Sequence, residues 1–288
     1  MPELEYSSDS AHAQASFRLA DGLGYALQQN HRSVIRLNLQ HFLWRQVFGF
    51  HIHPSVPTDL EMIVDVGCGT ALWLIDVSRQ FPHSQLDGLD IDLTQAPHPK
   101  WLPANVHLHS WDIFTDVPAG LEAKYDLLHV RLLVLVLSGL DPMPVLRHFL
   151  QLVKPGGYLQ WDELDTVNMS IKKVDPSLSA PALQEIKDAS HAGGRHDWVL
   201  ELPRLLIEAG FQDAKIHFYD DPPELVRAFN DQHLLTMEEF ATKLASKGQT
   251  EAATRFTHLV QSAYQECVNG AALCFPRVVV VARRPISS

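Results

Sequence analysis

Val64-Asp65-Val66-Gly67-Cys68-Gly69-Thr70 ends a short apolar run, MIVDV at 62–66, and opens a helix candidate, ALWLIDVSRQF. A buried strand, a glycine turn and a helix in that order start a parallel α/β unit, because the glycines let the chain turn tightly and let a ligand approach the backbone. An acidic residue 25 positions beyond Asp65, Asp90, ends the next apolar run, QLDGLDI at 85–91. A carboxylate there accepts hydrogen bonds from a ribose diol. The turn lacks the third glycine of G-x-G-x-x-G, where Leu72 stands, and the chain shows no P-loop. Asp65 beside the turn disfavours a pyrophosphate and suits a ligand that brings an ammonium group.

Outward from this unit the same rhythm continues. NVHLHSWDI (105–113), YDLLHV (125–130) and YLQWDE (158–163) read as strands, with a helix over 141–154 stopped by Pro155-Gly156-Gly157. After an interruption at 164–198 come a helix over about 198–209, a strand KIHFYD (215–220), a long helical tract from 222 to about 270, and a last strand RVVVVAR (277–283). Strands alternating with helices predict a doubly wound, mostly parallel seven-stranded sheet, a Rossmann-like α/β fold. Ahead of it, apolar residues at three- and four-residue spacing predict a helical stretch from about Ser16 to Phe50, joined by the proline-bearing linker HIHPSVPTD. The expected division is a helical leader, 1–58, and a ligand-binding domain, 59–288, with additions at about 164–198 and 222–270 that cap the cleft.

The 288 residues carry a formal net charge of -11, which opposes nonspecific nucleic-acid binding. Three cysteines without metal-type spacing give no disulfide framework and suit a reducing compartment. The polar, acidic first residues are not a secretory signal, and LLVLVL at 132–137 is too short to span a bilayer. The composition predicts a cytoplasmic protein without a membrane or nucleic-acid partner. Whether the leader helix seals its own cleft or pairs with a second copy stays open.

The run IVDVGCGTALWLIDV resembles the first motif of class I S-adenosylmethionine-dependent methyltransferases. QLDGLDID is similar to their second-strand acidic motif, WDIF to their adenine-side motif, and YDLLHVR and LVKPGGYLQWDE to those of the fourth and fifth strands. These cover roughly residues 60–165 in the family's order. YALQQNHRSVIRLNLQHFLW resembles the leader helix of fungal methyltransferases that tailor secondary metabolites. The resemblance implies S-adenosylmethionine as cofactor. Asp65, Gly67 and Gly69 would surround its aminocarboxylate and sugar, Asp90 its ribose hydroxyls, Ile91 and Ile113 its adenine, and Asp112 the adenine amino group. His129 and Arg131 would stand near the methionine end, and Tyr25 would close over the cofactor. Cys68 belongs to the same turn and reads as a buried small residue, not a nucleophile. Ala71 replaces a glycine common in the family, a change that a helix start tolerates.

Methyl transfer from a sulfonium is a direct displacement, so the protein must align acceptor, carbon and sulfur and exclude water. Ligands bind beyond the C-terminal ends of parallel strands, which places the exits of the fourth and fifth strands at the acceptor side. There His129 is the general-base candidate, as a neutral imidazole. Trp161 is a candidate wall of the acceptor pocket, and Glu163 a candidate to hold a basic nitrogen or orient a hydroxyl. Strand alternation sends Trp161 and Glu163 to one face and Asp162 to the other. His196 and Asp197 form a further pair. Leu225, Val226, Phe229, Leu234, Leu235, Phe240 and Leu244 are candidates for an apolar cap lining. No metal is expected. The reading is a methyltransferase acting on O, N or S of a small secondary metabolite. A protein or RNA methyltransferase, and a protein that keeps the cofactor without transfer or uses it in a rearrangement, are the alternatives.

Overall fold

The apolar run at the glycine turn forms β1 (Met62–Val66), all but its first residue buried. In this computed structural model, which describes Leu27 and residues 29–286, β1 is an inner strand of a seven-stranded sheet. Its parallel neighbours are β2 (Gln85–Asp90) and β4 (Tyr125–Arg131). The edge strand β3 (Val106–Ser110) joins β2, and β5 (Val153–Leu164) joins β4, both in parallel. The last strand, β9 (Arg277–Arg283), inserts antiparallel between β5 and β7 (Gln212–Tyr219). The order is therefore β3-β2-β1-β4-β5-β9-β7, the sheet of the methyltransferase fold.

Helices cover both faces. On one side α1 (His31–Phe48) and α2 (Leu72–Gln80) bury Trp44, Trp73 and Leu74 against β1, β2 and β9. On the other, α3 (Met143–Leu152) and α5 (Leu202–Ala209) pack Phe149, Leu202 and Leu206 on Trp161 and Val280. The sheet reads as near-continuous apolar runs because both faces are covered. Asn30 caps α1 by accepting from the amides of Arg32 and Ser33, and Ser33 returns its hydroxyl oxygen to the Asn30 amide. The predicted leader helix therefore begins at His31. The part of that expectation before Leu27, with Tyr25, lies outside the described residues.

Gly88 is the tightest approach between α2 and the sheet. A Cβ there would stand 2.5 Å from Leu108, 2.7 Å from Leu74 and 2.9 Å from the Cys68 sulfur. Gly88→Ala is accordingly expected to lower the unfolding free energy by about 1–3 kcal/mol through overpacking. Urea denaturation checks it: the midpoint drops while the slope stays that of the wild type.

Three local expectations are corrected. Ala71 is not a helical residue; it precedes α2 with φ 56° and ψ 13°, the left-handed conformation that glycine adopts freely. Its Cβ costs about 1 kcal/mol in that region, offset in part by complete burial of the methyl. The interruption at 164–198 holds not only a helix, α4 (Pro181–His191), but a strand, β6 (Ser170–Lys173), paired with β8 (Ala271–Cys274) in a second, two-stranded sheet. The long tract splits at Gly248 into α6 (Val226–Ser246) and α7 (Thr250–Val268). α4, α6, α7 and this small sheet enclose a core of their own around Leu183, Ile186, Met237, Val260 and Leu273. Among the described residues no helix is long and apolar enough to cross a membrane.

Candidate active site

β1, β2 and β4 end at one mouth of the sheet, and a cavity of about 1110 Å³ opens there. Its floor is the glycine turn and its roof is formed by α1 and α6. Gly67 (φ 70°) and Gly69 (φ 50°) both take left-handed backbone and both line it. Asp90 at the end of β2 fastens the turn: one carboxylate oxygen accepts from the Gly69 amide at 2.8 Å, the other from Asp92 at 3.1 Å. Burial pushes its carboxyl up to about 6, against the pull of those two amides. Each oxygen retains a second lone pair for a ligand hydroxyl.

Three adjacent parallel strands place Asp65, His129 and Gln160 level with one another, since Asp65 pairs with His129 and His129 with Gln160 in register. Two residues on, Asp162 shares their face. The consequence is a buried chain of charge. His129 Nδ1 lies 2.7 Å from Asp65 Oδ1, and its Nε2 lies 3.1 Å from Asp162 Oδ2. Arg131 donates to that same Asp162 oxygen from Nε at 3.1 Å and from a terminal nitrogen at 2.7 Å, and Gln160 donates to the other at 3.0 Å. The imidazole stacks on Trp73, ring centroids 3.9 Å apart and 3° from parallel. The Arg131 guanidinium lies over Trp44.

This arrangement corrects the reading of His129 as a neutral base. Burial disfavours its charge, but Asp65 and Asp162 override burial and hold the imidazole above its ordinary value of 6.5. Burial likewise works to protonate Asp162, and Arg131 and His129 reverse it, keeping that carboxyl below the ordinary range. His129 is thus an imidazolium with both nitrogens engaged. Its part is to hold Asp65, at the cavity wall, in one orientation.

Alternation along β5 is as predicted for Trp161, Asp162 and Glu163, but the face carrying Trp161 and Glu163 turns away from the cavity. Trp161 is wholly buried against Phe149 and Trp198, so it is no acceptor wall. Glu163, equally buried, accepts from the Val134 amide at 3.0 Å, its own neighbour Leu164 at 3.0 Å and the Trp161 indole at 3.3 Å. Burial pushes its carboxyl up to about 7. It braces the loop after β4 from behind and does not face the cavity.

The remaining predicted residues do reach the cavity. Cys68, Ile91, Asp112, Ile113 and Arg131 all line it. Burial raises the Cys68 thiol well above its usual range, so it carries no thiolate. Asp112 shapes its own turn by accepting from the Phe114 amide at 3.0 Å, and the Ile113 carbonyl accepts from His148 at 2.9 Å. His196 lines the cavity 3.2 Å from the Ser138 hydroxyl, while Asp197 is half exposed and faces His191. Of the proposed cap lining, Phe240 and Leu244 reach the cavity; Phe229 packs toward the sheet, Leu234 into the cap core, and Leu235 is exposed.

Sequence reading missed Thr166, His233 and the Arg36–Glu239 ion pair, 2.7 Å across between α1 and α6. It also missed the buried set of His41, His51 and Asp76 behind α1. Both imidazoles approach one Asp76 oxygen, at 3.0 and 3.3 Å, and Arg45 and Arg79 donate to the same carboxylate. Burial lowers both imidazoles, His41 to about 4, so two neutral rings and two guanidinium groups surround one carboxylate. Gln80 donates to Nδ1 of His51, which puts the ring proton on Nε2, toward Asp76. That set is a satisfied hydrogen-bond cluster tying α1 to α2.

Residues 64–159 match the model of a family described as a methyltransferase domain. The chain is 37% identical over 151 residues to "Methyltransferase grgD" of Penicillium sp, covering 49% of this chain and 52% of that one. It is 30% identical over 139 residues to "N-methyltransferase verN" of Clonostachys rogersoniana, with 47% and 48% covered. The chain thus spans about half the length of the curated relatives it matches. Among solved structures, the [4+2]-cyclase SpnF superposes with a TM-score of 0.46 at 16% identity, over 96% of this chain and 92% of that one.

Proposed function

We propose that this chain is a class I S-adenosylmethionine-dependent methyltransferase that transfers a methyl group to an O, N or S atom of a small organic, secondary metabolite; its sheet order and the 64–159 match to a methyltransferase domain support the reading. The observation that carries the reading is one cavity with two unlike ends: a glycine turn ringed by carboxylates, and a mixed wall on α6 where Met237, Phe240 and Leu244 stand among polar side chains.

The residues at the first end fit the cofactor. Gly67 and Gly69 are required by their left-handed backbone, φ 70° and 50°, which brings the bare turn to the cavity floor. Asp65, Asp90 and Asp112 offer acceptors in sequence along the floor, which suits an ammonium group, a vicinal diol and an exocyclic amine. Bound S-adenosylmethionine supplies an electrophilic methyl group on a sulfonium. Asp65, oriented by His129, would hold the ammonium; Asp90 would hold the ribose; Asp112, Ile91 and Ile113 would frame the adenine. α1 and α6 would keep bulk water from the reacting atoms, which strengthens each of these contacts.

The test uses an equal mixture of ordinary and trideuterated-methyl S-adenosylmethionine with a small-molecule extract of the source organism. Mass spectrometry is expected to find protein-dependent doublets three mass units apart. Cofactor binding without any doublet, across extracts and across protein and RNA acceptors, would leave a non-transferring role. A folded protein that binds no cofactor overturns the proposal.

A further inference from the structure

Three side chains on the cavity wall keep a buried polar atom without a partner among the described residues: Thr166 Oγ1, His196 Nδ1 and His233 Nε2. Thr166 and His196 are themselves 6% and 8% exposed. Native proteins rarely leave such atoms unpaired, so three that line the same cavity point to a ligand that completes them.

Thr166 and His233 share one corner. The Asp165 amide donates to the Pro276 carbonyl at 2.9 Å, continuing the antiparallel pairing of Leu164 with Arg277, so Thr166 comes opposite Phe275. His233, on α6, lies against the same Phe275, ring centroids 4.3 Å apart. Leu164, Met237 and Phe240 line the cavity around this corner. Burial lowers His233 to about 4, which leaves an uncharged ring. The charged pair nearby, Arg36 and Glu239, is already matched. The basic residues Lys243 and Lys247 also line the cavity, but ten and fourteen residues further along α6. At 1.5 Å per residue they stand about 15–20 Å from His233.

Resting on the methyltransferase reading, we propose that Thr166 and His233, which meet at Phe275, form the acceptor's recognition subsite and select an uncharged polar group on an apolar, aromatic-sized body, such as a phenol or a lactam. The hydroxyl of Thr166 both donates and accepts, and neutral His233 takes either role according to its tautomer. A carboxylate or ammonium head would enter this corner without a counter-charge and lose its hydration.

The probes are 2-naphthol, 2-naphthoate, 2-naphthylmethylammonium and naphthalene, titrated by ligand-observed NMR against the protein with and without S-adenosylhomocysteine. The expected result is tightest binding of 2-naphthol, about tenfold over naphthalene, with both charged probes weaker. Thr166→Val and His233→Phe are each expected to remove about that tenfold for 2-naphthol and to leave naphthalene and S-adenosylhomocysteine binding unchanged. Thr166→Ser, which keeps the hydroxyl, restores it and serves if the valine variant fails to fold. Preference for either charged probe, unchanged 2-naphthol binding in both variants, or no probe binding at all overturns the subsite. Loss of S-adenosylhomocysteine binding with 2-naphthol selectivity intact overturns the methyltransferase reading and leaves the subsite standing.

Discussion

Asp162→Ala is expected to lower the unfolding free energy near neutral pH by about 3–5 kcal/mol, the scale for removing one partner of a buried ion pair. The carboxylate is completely buried and its Oδ2 serves two cations at once, the His129 imidazolium and the Arg131 guanidinium. Its removal leaves both cations facing each other with only Asp65 to balance them. Asp162→Asn keeps the shape and one acceptor, and falls between the variant and the wild type. The pH profile distinguishes charge from packing. Asp162 titrates below its ordinary 3.8, so its contribution is present above that value and fades as pH falls through the folded value. His129 titrates above 6.5, so its contribution is complete below 6.5 and fades as pH rises through the folded value. Wild-type stability is therefore expected to be flat in this network from about 4.5 to 6.5 and to decline on either side. In Asp162→Ala the alkaline decline still begins near the unfolded value of 6.5 but ends at lower pH and is smaller, because one of the two carboxylates holding the imidazolium is gone. Urea midpoints from pH 4 to 9 read this directly. A loss below about 1 kcal/mol, independent of pH, would show that packing alone holds the three strands.

The same network explains why fold and site were not equally legible. The inner strands could be read because they are apolar runs bounded by glycine, proline or an acidic end, and burial on both faces imposes that pattern locally. The edge strand β3 is read by alternation instead, and β7 at the other edge is likewise only partly buried. β6 and β8 escaped because SIKK and AALC carry neither alternation nor length; only their pairing across the cap makes them strands. The residues expected on the cofactor side could be placed at the cavity because they sit at strand ends, where the fold itself fixes position. The chemistry of His129 was not, because protonation belongs to the set and not to the residue. A histidine read alone is a neutral base; with carboxylates from two neighbouring strands on its two nitrogens it is a cation. Trp161 and Glu163 failed for a different reason. Alternation tells which residues share a face, but α3 and α5 decide that their face is core and that Asp162 faces the cavity side. Thr166 and His233 carry no sequence signal at all. One follows a strand, one sits mid-helix, and the antiparallel return of β9 brings them to the same ring.

Asp90→Asn is expected to weaken S-adenosylmethionine and S-adenosylhomocysteine binding about 100-fold, close to 2.7 kcal/mol, as two charge-assisted hydrogen bonds are lost. The isosteric amide also turns an NH2 group toward either the Gly69 or the Asp92 amide, each of which donates to the carboxylate. The turn itself then loses an acceptor, so cradle and ribose contact weaken together. The pH dependence separates this from a general loss of structure. Burial raises the Asp90 carboxyl to about 6, so a fraction of the free protein is protonated at mildly acidic pH. On the proposed reading ribose hydroxyls would donate to the ionised form, so wild-type affinity is expected to fall progressively below pH 6, while the asparagine variant is flat from pH 5 to 8. Stability of the cofactor-free protein moves the other way. A carboxyl whose folded value lies above its ordinary 3.8 is most favourable when protonated, so its contribution declines as pH rises from 3.8 through about 6. Cofactor affinity that rises over the interval in which intrinsic stability falls is a signature no surface carboxylate produces. Calorimetric titration with S-adenosylhomocysteine at pH 5, 6, 7 and 8, beside thermal melts of the free protein, measures both slopes. A wild-type affinity independent of pH across that range would remove Asp90 from the ribose and leave it as the fastener of the glycine turn alone.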